Sequence, residues 1–82
     1  MKVRVVFYGG LKQDAGAREE VVEVDQDQLS VAELAEVLAM RFPALGPRLR
    51  SVAFVVDDTI VGPGTMLADD DEAGLLPPIS GG

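Results

Sequence analysis

The chain has 82 residues, 48% of them hydrophobic, and seven basic residues set against fourteen acidic ones give a net charge of −7. That length is one domain with a single core and modest stability, because so small a domain buries only about 60% of its unfolded surface. With no Cys and no His there is no disulfide, zinc–thiolate site, thiol nucleophile or imidazole base, and the scattered basic residues suit nucleic acid poorly.

A chain lacking these groups is expected to be a partner, carrier or substrate of other proteins, and not catalytic alone. It contains no apolar run long enough to span a bilayer, and Lys2-Val3-Arg4-Val5 opens it without a signal-peptide pattern. A soluble, cytoplasmic protein without membrane or nucleic-acid partners is the expectation.

Lys2 to Tyr8 reads as the first strand, with Val3, Val5 and Phe7 on one face and Arg4, Val6 and Tyr8 on the other. Gly9-Gly10 breaks it, and Leu11 to Gly16 is a turn or short helical connector. Glu20 to Val24 is a β-branched run and the expected hairpin partner of the first strand. Asp25 to Leu29 is polar loop.

Ser30 followed by Glu33 fits a capping box at the start of the main helix. Val31, Leu34, Ala35 and Leu38 recur at helical spacing and form one apolar stripe. Pro43 ends the helix after Arg41 or Phe42. Ala44 to Ser51 is a connector with Gly and Pro.

Val52 to Val56 is wholly apolar and is expected to be a central strand. Asp57-Asp58 is a turn, Thr59 to Val61 a short strand, and Gly62-Pro63-Gly64 a second turn. Asp69-Asp70-Asp71 makes a third turn before the last strand, Ala73 to Leu76. Pro77-Pro78 then forbids further pairing, since neither has an N–H. The acidic run Asp69 to Glu72 lacks the alternating ligand spacing of a calcium loop and reads as a solvated turn. Strands flanking one helix predict an α+β fold, a mixed sheet packed on one main helix.

The terminal stretch Asp71-Glu72-Ala73-Gly74-Leu75-Leu76-Pro77-Pro78-Ile79-Ser80-Gly81-Gly82 resembles the end of the MoaD/ThiS sulfur-carrier family, and its part from Leu75 to Gly82 looks most like the small subunit of molybdopterin synthase. The resemblance extends to Val3–Tyr8, Leu11–Gly16 and Val56-Asp57-Asp58-Thr59-Ile60-Val61. It departs at Asp70, where the family usually has Gly, and at Asp57, where it usually has Asn. It implies a ubiquitin-like β-grasp domain over residues 1–76 and an extended tail over 77–82.

The resemblance also implies a function. An E1-like adenylyltransferase of the MoeB type would use ATP to adenylate the terminal carboxylate of Gly82. Sulfur would then displace AMP and leave a thiocarboxylate that donates sulfur for the pterin dithiolene in the MoaE-type large subunit. No cofactor would be bound by the chain itself. Gly81 and Gly82, lacking Cβ, suit a narrow channel to ATP, and Pro77-Pro78 makes a stiff spacer. Val6, Tyr8, Leu76, Pro77, Pro78 and Ile79 are the expected partner-binding residues. A carrier for tRNA thiolation or thiazole synthesis, a ubiquitin-like protein modifier and an inert interaction module are the alternatives.

Overall fold

The structure is a computed structural model that describes residues 1–78. The described residues form seven strands and two α-helices, with a 3-10 segment in addition. The main sheet takes β1 (Lys2–Phe7), β2 (Glu19–Glu23), β4 (Ala53–Val56), β5 (Thr59–Val61) and β7 (Glu72–Leu76), in the order β2-β1-β7-β4-β5. β1 and β7 run parallel and the other neighbours antiparallel, so the sheet is mixed. β7 holds the centre. The apolar run that sequence reading placed there is β4, one strand from the edge; an apolar run marks an interior strand but not which one.

α2 (Val31–Arg41) covers one face of this sheet. Its Val31, Leu34 and Leu38 are fully buried, and Ala35 is half-buried. They close a core with Val3, Val5 and Phe7 of β1, Val22 of β2, Phe54 of β4, and Ala73 and Leu75 of β7. Phe7 and Phe42 meet edge to face with centroids 5.8 Å apart.

The N-terminus of α2 is fastened twice. The capping box forms: Ser30 Oγ accepts from the Glu33 N–H at 3.0 Å, and Glu33 Oε1 accepts from the Ser30 N–H at 2.9 Å. The next free N–H groups go to another loop, Val31 to the Thr65 carbonyl at 2.9 Å and Ala32 to that of Pro63 at 3.0 Å. A second sheet of β3 (Leu29–Ser30) and β6 (Met66–Leu67) holds that loop in place. Leu29, read from the sequence as the end of a polar loop, is thus a buried strand residue.

Two further connectors have structure of their own. α1 (Leu11–Ala15) ends at Gly16, whose left-handed backbone lets its N–H donate to the Lys12 carbonyl at 2.8 Å. The 3-10 segment Pro43–Arg48 drives Leu45 fully into the core. Arg48 Nε lies 2.8 Å from Asp14 Oδ2, an ionic contact off the line of the N–H that ties this segment to α1.

The acidic turn is a stitch between strands. Asp69 Oδ1 accepts from the Lys2 N–H at 2.7 Å, Asp70 N–H donates to the Lys2 carbonyl at 2.7 Å, and Asp71 Oδ2 accepts from the Ala68 N–H at 2.8 Å. These bonds hold the start of β7 beside the start of β1. Among the described residues, no group of three or more acidic side chains is placed to hold a metal ion, and no helix is long and apolar enough to cross a membrane.

Candidate functional site

Register decides what lies on the sheet face that α2 leaves uncovered. Val6 stands beside Gly74, Gly74 opposite Val55, and Val55 opposite Ile60. Cross-strand partners project to the same side, so these four residues make one row across β1, β7, β4 and β5. The row is apolar throughout. Leu76 stands opposite Ala53 in the row nearest the tail.

Tyr8 completes the patch from just beyond β1. Its N–H donates to the Leu75 carbonyl at 3.1 Å, continuing the parallel ladder by one rung. Its ring lies over Gly74, where Cε2 comes within 3.0 Å of the position a Cβ would take. That explains why Gly74 is buried although it faces outward. Tyr8 as a whole remains 46% exposed. Tyr8, Val55, Gly74 and Leu76 floor a shallow concavity of about 370 Å³, rimmed by Asp57, Asp58 and Glu72.

The rim is mostly acidic. Asp57 and Asp58 form the two-residue β4–β5 turn with φ of 52° and 61°, the left-handed backbone that such a hairpin demands. Glu72 is matched by Arg4 at 2.9 Å across the β1–β7 pair. Both side chains are about half exposed, so the pair sets local charge more than stability. Hydrogen bonds from the Ser30 backbone and then its hydroxyl hold Glu33 below the ordinary glutamate value. Glu33 lies at the helix cap, not in the patch.

The expected partner residues therefore divide. Tyr8 and Leu76 line the concavity; half-buried Val6 stands in the same row as Gly74 and Val55 but outside the concavity. Pro77 is half-buried and Pro78 exposed, directly after β7. Ile79, Gly81 and Gly82 lie outside the described residues. Sequence reasoning missed Val55, Gly74 and Ile60, the last 68% exposed. The two-residue turn at Asp57-Asp58 was the signal that could have placed Ile60 beside Val55. Val55 itself is hidden in a run whose two faces are equally apolar.

The result is an apolar patch with an acidic rim, lying beside the point where the chain leaves β7. The model of the ThiS family matches residues 5–82. The molybdopterin synthase sulfur carrier subunit of Mycobacterium tuberculosis is 33% identical over 84 aligned residues, covering 100% of this chain and 99% of that protein. The solution structure of the small archaeal modifier protein 1 from Methanosarcina acetivorans superposes with a TM-score of 0.78 at 26% identity, covering 99% of this chain and 96% of that one. The complex of subunits 1 and 2 of the molybdopterin-converting factor from Helicobacter pylori contains a chain with a TM-score of 0.70 and 26% identity, each covered in full.

Proposed function

This chain belongs to the ThiS family, and we propose that it is the sulfur-carrier subunit of a molybdopterin synthase, with the carboxylate of Gly82 as its working group. The observation that carries the reading is that the match runs through residue 82 and so takes in the Gly81-Gly82 end. A relative named as the sulfur carrier subunit aligns over its whole length.

The proposed chemistry suits a protein without Cys or His. The terminal carboxylate attacks the α-phosphate of ATP on an E1-like adenylyltransferase, giving an acyl-adenylate and releasing pyrophosphate. A sulfur nucleophile then displaces AMP and leaves a thiocarboxylate. In the large subunit that sulfur forms a bond to a side-chain carbon of the pterin substrate as an oxygen substituent leaves; water then hydrolyses the acyl–sulfur bond, which leaves the sulfur on the pterin and restores the carboxylate. ATP and pterin are held by the partners; this chain supplies the terminus and the surface that docks it. The patch of Val6, Tyr8, Val55, Ile60 and Leu76 beside the tail root is the proposed dock for both partners. From Pro77 to Gly82 the chain can reach about 20 Å, deep enough for an enclosed site.

Mass spectrometry of the protein from its source tests the reading. A gain of about 16 Da at the terminus, oxygen replaced by sulfur, is expected. Conjugates to lysines of larger proteins would instead make it a modifier, and an unchanged terminus under every condition would refute both.

A further inference from the structure

Beyond Leu76 the chain must leave the sheet, because Pro77 has no N–H to add another rung. What locates Pro77 is the turn after β1. Gly9 sits there at φ +56°, and a Cβ built on it would lie 2.9 Å from Pro77 Cγ and 3.6 Å from Cδ. That spacing is below ordinary carbon–carbon contact, so the ring occupies the space a side chain at position 9 would need.

The two sides of this contact differ in stiffness. The turn is held by N–H groups of Tyr8, Leu11 and Lys12, which donate to the carbonyls of Leu75, Tyr8 and Gly9 at 3.1, 3.2 and 3.4 Å. Leu11 anchors it from behind, fully buried. Pro77, by contrast, makes no backbone hydrogen bond to another of the described residues. Its ring is closed on its own backbone and cannot rotate aside, so anything that displaces the ring displaces the root of the tail.

We propose that Gly9 is a positioning residue for the tail: its missing side chain is the seat of Pro77, and that seat sets the direction in which the chain leaves the body. The inference deepens the carrier reading and rests on it. A methyl group at position 9 would push Pro77 away by about half an ångström or more to regain normal contact. The chain carries that shift toward the terminal carboxylate, where misplacement by about an ångström can cost a hundredfold in rate.

Gly16 supplies the control. It has the same left-handed backbone, φ +75°, with nothing within 4 Å of the place a Cβ would take. Gly16→Ala therefore carries the backbone strain without the clash. The assay is ATP–pyrophosphate exchange with the full-length chain, ATP and an E1-like adenylyltransferase. Gly9→Ala is expected to lower kcat about tenfold with KM within threefold, whereas Gly16→Ala keeps the wild-type rate despite a lower Tm. Pro77→Ala, which empties the seat without straining the turn, should also lower kcat. Adding Gly9→Ala to it should change the rate less than twofold, because Cγ and Cδ are gone. In the labelled full chain, Gly9→Ala should move the amide resonances of Ile79 and Ser80, and Gly16→Ala should not.

Equal rates for Gly9→Ala and Gly16→Ala overturn the proposal. So does a Gly9→Ala effect that persists undiminished in the Pro77→Ala background, or unmoved tail resonances. A wild-type chain that is never adenylated sinks the carrier reading instead, and the resonances then decide the seat alone.

Discussion

Replacing Tyr8 by Ala separates docking from folding. Tyr8 is 46% exposed and its ring lies on Gly74, outside the helix-covered core. An aromatic side chain buries roughly 150–250 Å² when fully enclosed, so roughly 90 Å² of this one remains for a partner to cover. At about 25 cal/mol per Å² that is about 2 kcal/mol, or roughly 30-fold in Kd. The part already buried is of similar size, but area counted from an extended chain is an upper bound, so about 1 kcal/mol of stability, 4–8 °C in Tm, is the expected folding cost. Titration calorimetry against the large subunit of a molybdopterin synthase reads the first quantity, and thermal melting the second. Met40 is the control: it is 83% exposed on α2, on the opposite side of the molecule, and Met40→Ala should leave Kd unchanged. Normal binding by Tyr8→Ala, or weakened binding by Met40→Ala, would show that the helix side and not the open sheet is the dock.

Removing Gly82 should abolish sulfur transfer while Tm stays within about 2 °C, since Leu75 is the last fully buried residue among those described; residual transfer or early melting in the shortened chain would count against the carrier reading. Asp70 holds φ +69°, a backbone that glycine adopts without the Cβ penalty, so Asp70→Gly should raise unfolding free energy by about 0.5–1 kcal/mol in denaturant titration. Because Glu33 has its folded-state pKa lowered, its contribution is complete above the unfolded carboxylate value and is lost as pH falls through the folded one. Melting curves of Glu33→Gln should accordingly show a shallower acid decline than wild type, and parallel curves would refute the capping assignment.

Much of this protein was legible in the sequence, because it is written in local periodicity. The capping box at Ser30 and Glu33, the stripe of α2, the alternation of β1 and the stop at Pro77-Pro78 are each set by neighbours within a few residues. The same alternation put Tyr8 and Leu76 on the outward side. The two departures at Asp57 and Asp70 were visible too, though not their consequence: both proved to hold positive φ, where the usual Asn and Gly are less strained.

Other features depended on which distant segments meet. Leu29 looked like loop because its partner, Leu67, is far along the chain, and two-residue strands have no period to detect. Gly74 and Val55 became part of a patch only when β7 was placed between β1 and β4. Gly9 reads in sequence as a turn residue, and its contact with Pro77 exists because β1 and β7 run parallel and so end at the same edge of the sheet. Local sterics and hydrogen bonding choose helix, strand and turn, and a sequence displays them directly. Long-range pairing is chosen by the shared burial of residues far apart in the chain, and only the folded molecule brings those residues into contact.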